Sequence, residues 1–198
     1  MSDIKINNIS NRSGDGGPVI AGIPEVSSNA FMVMPSGNTA FRSAGSGRGV
    51  IAGGNTPSNT DTMTRIQIST VGNSVDFGNL TTARRGNGSS TNSSSTRGVF
   101  NSGFVSAYTT AIDYVTISSD GGANEFGFLK NAFGNRAGFS NGVRGLIAGG
   151  IDASDVWSNI IEYITIATIG ESSDFGDMTR AQSHRSSAAS PTRGVMMG

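Results

Sequence analysis

Few side chains in this sequence have the types that catalysis or metal binding requires. His184 is the only histidine and there is no cysteine, so a zinc site would need several carboxylates around one imidazole. A Ser-His-Asp triad could use Ser183 or Ser186, but both serines lie in a low-complexity tract and neither is the serine of a G-x-S-x-G elbow. We therefore predict no catalytic residue, no metal, no cofactor and no enzyme activity, with His184 in a surface loop.

Two acidic, glycine-rich stretches contain the oxygen donors that calcium prefers, SGDGG (13–17) and SSDGGANE (118–125). The triplet DFG at 76–78 and 174–176 also occurs in the magnesium site of protein kinases, but here Glu125 replaces the aspartate in a middle copy. No kinase catalytic loop accompanies the triplet. The sequence favours turns at all of these places.

Regularly spaced arginines are the more informative charged residues, at intervals of 49, 47 and 49. They are Arg48, Arg97, Arg144 and Arg193, each followed by Gly-Val or Gly-Leu. In one interpretation they join neighbouring repeats, binding backbone carbonyls or a carboxylate such as Asp76, Glu125 or Asp174. In the other, they form a ring around a channel that binds an anion. The first is favoured, because a residue that recurs once per repeat is typical of internal scaffolding.

The segments between the arginines repeat with a period of about 49 residues. TRIQI (64–68), DYVTI (113–117) and EYITI (162–166) alternate in the way that predicts a half-buried strand. The residues expected on the buried side are Ile66, Ile68, Val115, Ile117, Ile164 and Ile166. Those expected to face away are Arg65, Tyr114 and Tyr163.

A further strand follows at VDFGNL (75–80), NEFGFL (124–129) and SDFGDM (173–178). Each copy is predicted to contain one buried aromatic residue, namely Phe77, Phe126 or Phe175. The Gly/Ser/Asn-rich stretch after it is either a strand of small residues or an exposed loop, and the strand is favoured. The predicted unit is a four-stranded antiparallel sheet in the order small-residue strand, Arg-Gly-Val strand, Ile-rich strand, Asp-Phe-Gly strand.

The composition argues against some classes of function. The chain has 198 residues, with 14 basic and 14 acidic side chains. This balance gives no excess of positive charge to attract nucleic acid, so nucleic-acid binding is disfavoured. No run of about 18 apolar residues predicts membrane insertion, and the N-terminal residues do not have the pattern of a signal peptide. The 29 glycines indicate many turns between short strands.

Repeated sheets of this length are typical of β-propellers, and strands ending in Gly-Gly, as in VIAGG (50–54) and LIAGG (146–150), resemble the kelch motif. We predict an all-β, small kelch-like β-propeller with repeats at about 48–96, 97–143 and 144–192 and a terminal strand at 193–198. Three complete units are few for a ring. A strand at NAFMVMPSG (29–37) could share a fourth blade with the C-terminal strand; alternatively, the edge is open and neighbouring subunits complete it.

Residues 1–28 lie outside the repeats and predict an extended anchoring arm. Its apolar contact residues would be Ile4, Ile6, Ile9, Val19 and Ile20. The opening NNISNRSGDGGPVIAGI (7–23), the stretch MPSGNTAFR (34–42) and the iterated RGV-x-x-GG…EYITI…DFGD together resemble small virion structural proteins of tailed phages, notably those infecting cyanobacteria. That resemblance implies assembly into a particle in the cytoplasm of a bacterial host, with capsid, neck or tail proteins as partners and homo-oligomerisation within the particle.

Loops that differ between repeats are the predicted contact sites, with Phe104, Tyr108 and Trp157 as their aromatic residues. Such rings can stack on sugars of a host-surface glycan, or they can be buried against the next blade. The expected function is that of a non-enzymatic virion protein, anchored by its arm and displaying the propeller for decoration or host adhesion. The alternatives are an enzyme on a kelch-like scaffold, and a soluble kelch-type adaptor or glycan-binding protein that is not part of a particle.

Overall fold

The structure is a computed structural model that describes residues 47–86, 91–184 and 186–197. The chain divides into two units, Met1–Ser43 and Ala44–Gly198, and every described residue belongs to the second. Three predictions therefore lie outside the described residues: the arm with its apolar contacts, the boundary after residue 28, and the closing strand at 29–37.

The described residues form strands joined by turns and irregular segments, with no helix among them. The strands are β1 (Arg48–Asn55), β2 (Asn59–Gln67), β3 (Val75–Asn79), β4 (Thr91–Ser93), β5 (Arg97–Asn101), β6 (Ala111–Thr116), β7 (Asn124–Phe128), β8 (Ala137–Ser140), β9 (Arg144–Ala148), β10 (Ile160–Thr165), β11 (Ser173–Asp177), β12 (Ser186–Ala189) and β13 (Gly194–Met197). The predicted all-β class is confirmed for this part of the chain.

These strands form four antiparallel sheets, and in each sheet the strands lie side by side in chain order. Sheet A contains β1–β3, sheet B β4–β7, sheet C β8–β11 and sheet D β12 and β13. Sheets B and C confirm the predicted four-stranded unit, including the small-residue strand, which is β4 in one and β8 in the other. In sheets A and D the described residues supply three and two strands.

Small residues are needed where neighbouring sheets come closest. A Cβ on Gly145 of β9 would lie 2.7 Å from Cγ of Asn92 in sheet B, and one on Gly194 of β13 would lie 2.2 Å from the ring of Phe139 in sheet C. Asn92 uses this proximity to donate hydrogen bonds to the Phe139 and Leu146 carbonyls, at 2.8 and 3.1 Å. Gly145 and Gly194 therefore serve packing between sheets, whereas the glycines after Arg48 and Arg97 face side chains of their own sheets, Ile66 and Val115.

The DFG and EFG triplets form a β-bulge. In sheet A, Met63 pairs with Gly78 and the next residue, Thr64, with Asp76, so Phe77 is the extra residue. Register shifts occur at the equivalent places in sheets B and C. The glycine of each triplet has a φ of 141°, 149° or 130°, a conformation that favours glycine. The triplet is thus explained by strand geometry.

The core lies between the faces of successive sheets. One cluster joins sheets A and B through Ala52, Met63, Phe77, Leu80, Phe100 and Val115. The other joins sheets B and C through Val99, Ile112, Phe126, Leu129, Ile147, Ile164 and Ile166. Sheets A, B and C are therefore stabilised by apolar packing of each sheet on the next.

Two burial predictions are wrong, one in sheet A and one in sheet C. Ile66 and Ile68 of sheet A are 37% and 70% exposed, although their equivalents in sheets B and C are buried. Phe175 of sheet C is 50% exposed, against 1% for Phe77 and 3% for Phe126. Among the described residues no sheet packs on the face of Ile66 and Ile68, and the two strands of sheet D leave Phe175 half exposed at a groove between sheets C and D. Strand periodicity identifies a face without showing that a neighbour covers it.

Candidate functional site

Two of the repeated arginines contact the following sheet. Nη1 of Arg48 donates to the Ile117 carbonyl of sheet B at 3.2 Å, and Nη1 of Arg97 donates to the Ile166 carbonyl of sheet C at 2.8 Å. Arg97 also stacks on the Tyr114 ring, 4.3 Å from its centroid. The two contacts occupy the same position in successive repeats. This is the pattern expected if the repeated arginines join neighbouring sheets.

The carboxylate that binds Arg48 is that of Asp120. It pairs with Arg48 at 3.1 Å and accepts two hydrogen bonds from Arg65, at 2.7 and 3.0 Å. None of the three carboxylates suggested by the sequence forms an ion pair among the described residues, because the loop after the Ile-rich strand of the next sheet lies against the arginine. The hydrogen bond from Arg65 holds the pKa of Asp120 below its usual range.

Acid should weaken this contact. Because the folded pKa of Asp120 lies below its unfolded value of about 3.9, its contribution to stability is complete above that value and is lost as the pH falls through the folded pKa. We expect the thermal unfolding midpoint to fall more between pH 5 and pH 2 in the unmodified chain than in Asp120→Asn. Equal falls, measured by circular dichroism, would contradict this assignment.

The other two repeated arginines are exposed. Arg144 stacks on the Tyr163 ring at 4.5 Å, repeating the Arg97–Tyr114 stack, but no described carbonyl accepts from it. Arg144 and Arg193 line a groove between sheets C and D, whereas Arg48 lines a separate cavity among the first strands of sheets B, C and D. The four arginines therefore do not converge on one described cavity, and the interpretation as an anion-binding ring is not supported by this placement.

Main-chain hydrogen bonds repeat the same inter-sheet pattern. The Phe77 and Asn79 carbonyls accept from Gly121 and Ala123 of sheet B, at 2.7 and 2.8 Å. One repeat later, the Phe126 and Phe128 carbonyls accept from Gly170 and Ser172 of sheet C, at 2.8 and 2.9 Å. The last strands of sheets A and B therefore each bind a loop of the next sheet.

Two buried ion pairs join the sheets at a point that sequence reasoning missed. Arg84, in the connection between sheets A and B, lies 3.2 Å from Asp113 of β6, and both side chains are at most 1% exposed. Arg136, in the next connection, lies 2.5 Å from Glu162 of β10 with the same burial. Each guanidinium also donates to a carbonyl of the preceding strand in that sheet, Phe100 or Ile147.

Burial lowers the pKa of both arginines, and the facing carboxylates act in the opposite direction. A signal for these pairs was present in the sequence. Asp113 and Glu162 occupy the same repeat position, on the buried side of an otherwise apolar strand, where a carboxylate needs a cation. The identity of the cation was not predictable, because Arg84 and Arg136 lie at different offsets from the repeated arginines.

The loop aromatics of sheet B form a cluster with a small cavity. Phe104 and Tyr108 meet edge to face with centroids 5.5 Å apart, and the guanidinium of Arg85 lies 4.4 Å from the Phe104 centroid. Asn59 holds the loop by donating to the Phe104 and Val105 carbonyls. The cavity has a volume of about 240 Å³, with Gly86, Gly103 and Gly134 in its walls beside Arg85, Phe104, Tyr108 and Asn135.

Trp157 occupies the corresponding position in sheet C. Its bridge to Ile151 repeats the Phe104–Tyr108 bridge, and its side chain is 58% exposed. Phe104 and Tyr108 are half-buried. The three predicted loop aromatics therefore lie in the loops that follow the second strands of sheets B and C. We call these two loops, which contain Phe104, Tyr108 and Trp157, the aromatic loops.

The side chains that were considered for catalysis make contacts that hold the fold together or lie exposed at the surface. His184 is exposed, with its Nδ1 2.9 Å from the Ser183 hydroxyl. A G-x-S-x-G pattern does occur at 138–142, but the hydroxyl of Ser140 donates to the Ser93 carbonyl and accepts from the Ser93 amide, joining β8 to β4. In the described ranges no three His, Asp or Glu side chains form a group able to hold a metal ion. These ranges also contain no helix long and apolar enough to cross a membrane.

Comparison with known proteins gives no assignment: no protein-family model matches the chain, and no curated protein matches it.

Proposed function

We propose that this chain is a non-enzymatic virion structural protein, a kelch-like β-propeller anchored by its N-terminal arm to a capsid, neck or tail partner. The observation that carries the proposal is the use of its repeated charged groups. Arg48 and Arg97 donate to the next sheet, and the buried pairs Arg84–Asp113 and Arg136–Glu162 join the connections to sheets B and C. The aromatic loops remain as the surface that differs between repeats.

A radial arrangement of blades is supported by the order of the strands. The first strands of sheets B, C and D border one cavity of about 380 Å³, lined by Asn92, Ser93, Ser140 and Ser187 among others. The main-chain hydrogen bonds from sheet A to sheet B recur 49 residues later from sheet B to sheet C. First strands around a common axis and chain order from inside to outside are features of propeller blades.

Particle membership is tested by finding the chain in purified phage particles and locating it in a cryo-EM reconstruction. We expect the repeat domain in outward density and residues 1–28 against a neighbouring protein. A deletion of residues 2–28 should leave the repeat domain folded and remove it from particles. Recovery of the intact chain only as a free monomer would contradict the proposal and favour a soluble adaptor.

Adhesion through the aromatic loops is the more specific role we propose within the particle. The exposed ring of Trp157, and the Arg85–Phe104–Tyr108 cluster with its cavity, offer flat apolar faces beside polar groups, as sugar recognition requires. We expect Trp157→Ala to reduce binding to host-cell surface polysaccharide about tenfold or more, a loss of about 1.4 kcal/mol. Its melting temperature should change little, because the ring is exposed.

Val156→Ala is the matched control, since Val156 is next to Trp157 in the chain and its side chain is 60% exposed but not aromatic. It should bind like the unmodified chain. Equal binding by Trp157→Ala and the unmodified chain, measured by interferometry on immobilised polysaccharide, would exclude this loop as an adhesion site while leaving particle membership open.

A further inference from the structure

The cavity beside the aromatic loop of sheet B is lined by that loop and by the connections that enter and leave the sheet. Its volume is about 240 Å³, and among its described lining residues only Arg85 is charged. Sites for drug-sized ligands have volumes of about 300–1,000 Å³, so this cavity has room for one sugar ring and not for an oligosaccharide. The chemistry of its walls therefore determines which kind of sugar residue it accepts.

The guanidinium of Arg85 is held in place by two contacts. Its Cζ lies over the Phe104 ring, 4.4 Å from the centroid, and its Nη1 donates to Oδ1 of Asn59 at 3.1 Å. Asn59 also donates from Nδ2 to the Phe104 and Val105 carbonyls, at 3.0 and 2.8 Å, so one side chain fixes both the arginine and the loop. Because the guanidinium is ordered before a ligand arrives, less entropy is lost on binding.

The remaining donors of Arg85 form one edge of its guanidinium. Its Nε and Nη2 have no acceptor in the described part of the chain. In Arg65 the same two nitrogens bind the two carboxylate oxygens of Asp120, at 2.7 and 3.0 Å. This fork matches the geometry of a carboxylate. Arg85 therefore presents to the cavity side of its loop the edge with which Arg65 binds an acid.

The other walls suit the hydroxyl groups and the ring of a sugar. The side-chain amide of Asn135 and the hydroxyl of Tyr108 have no hydrogen-bond partner within the described ranges, and both groups can donate and accept. A Cβ on Gly134 would overlap the Tyr108 ring, so glycine at this position lets the ring form a wall. With one guanidinium as the charge of the described lining, a carboxylate is a better match than a phosphate, whose charge is about −1.5 to −2.

We propose that this cavity binds an acidic sugar, a uronic acid residue of a surface polysaccharide. The carboxylate of the sugar accepts from Nε and Nη2 of Arg85, and its ring lies against Tyr108. The inference rests on the adhesive role proposed above for the aromatic loops, and it adds the chemical class of the sugar. Arg85 recognises the charge, whereas Trp157 in the other aromatic loop supplies apolar contact that does not depend on charge.

The probes are the methyl glycosides of glucuronic, galacturonic and mannuronic acid, with methyl glucoside as the uncharged control and glucose 6-phosphate as the phosphate control. Each is titrated into the full-length protein, and binding is followed by the amide chemical shifts in NMR spectra. We expect at least one uronide to bind saturably at millimolar concentration and to shift the amides of Gly86 and Gly103, which line the cavity. Methyl glucoside should leave these amides unchanged.

Arg85→Gln should weaken uronide binding about tenfold, because it removes the hydrogen bonds to a charged group. Arg85→Lys keeps the charge but loses the fork, so it should recover only part of the binding. The matched control is Arg144→Gln, which removes the same charge from another arginine stacked on an aromatic ring, 4.5 Å from the Tyr163 centroid, but outside the cavity. This control should bind like the unmodified chain.

Three results would overturn the proposal. They are the failure of all three uronides to bind, equal binding by Arg85→Gln and the unmodified chain, and stronger binding of glucose 6-phosphate than of any uronide.

These results are separate from the test of adhesion with Trp157→Ala. If Trp157→Ala loses polysaccharide binding while Arg85→Gln binds uronides normally, adhesion is supported and the acidic-sugar site is rejected. If a uronide binds in the cavity and Trp157→Ala has no effect on polysaccharide, the acidic-sugar site is supported and adhesion through Trp157 is rejected.

Discussion

Replacing Asp113 by alanine is expected to lower the free energy of unfolding by about 3–5 kcal/mol, because it leaves the guanidinium of Arg84 buried without its charge partner. Two further hydrogen bonds, from the amide and hydroxyl of Thr81, would be lost as well, since Asp113 accepts them at 3.1 and 2.7 Å. Chemical denaturation monitored by circular dichroism measures the change.

The control is an ion pair on the surface. Asp120→Asn removes the partner of Arg48 and Arg65, but these groups are partly exposed, and exposed pairs contribute little. A similar loss in both variants would show that burial does not set the strength of the Arg84–Asp113 pair. Glu162→Ala should match Asp113→Ala, because Arg136–Glu162 has the same burial.

A double variant separates charge from packing. Arg84→Met with Asp113→Leu removes both charges and should recover most of the stability lost in Asp113→Ala. Nε and Nη1 of Arg84 have no hydrogen-bond partner among the described residues, so the bonds lost are that of Nη2 to the Phe100 carbonyl and the two from Thr81 to Asp113. A double variant that is as unstable as Asp113→Ala would mean that the pair is required for more than neutralisation.

Gly127→Ala is expected to destabilise the protein more than the same change at Gly176, although both glycines occupy one repeat position. Their φ angles are 149° and 130°, so the backbone strain of about 1–3 kcal/mol is shared. Only at Gly127 would the new Cβ meet a carbonyl, that of Gly170 at 2.1 Å. The clash should add about 1–3 kcal/mol.

Gly78→Ala should behave like Gly127→Ala, since its Cβ would lie 2.4 Å from the Gly121 carbonyl. Urea denaturation of the three variants measures the differences. If all three lose the same stability, the cost is backbone strain alone, and the close approach of successive sheets does not contribute.

Much of the local structure could be predicted from the sequence. The 49-residue period and the alternation in DYVTI and EYITI gave the strand order and identified the buried side of β6 and β10, where Val115 and Ile164 are 1% and 2% exposed. Strands follow from local alternation because successive side chains point to opposite faces. The choice between strand and loop for the small-residue segment was settled in favour of the strand at 137–140.

Contacts between distant residues were harder to predict. The repeated arginines were identified, but the acceptor of Arg48 proved to be the Ile117 carbonyl together with Asp120, and the buried cations proved to be Arg84 and Arg136. Nothing in the spacing relates Arg84 to Asp113, because their contact depends on how a connection enters the next sheet. Only the packing of whole sheets determines such a pair.

The sequence by itself determined the period, the all-β class, the order of strands within a sheet and which residues share a face of each strand, since these depend on residues close along the chain. The tertiary structure alone decided which faces are covered. Phe77, Phe126 and Phe175 have equivalent sequence surroundings, yet only Phe175 is half exposed. The physical reason is that burial depends on the next sheet, and among the described residues sheet C is followed by only two strands.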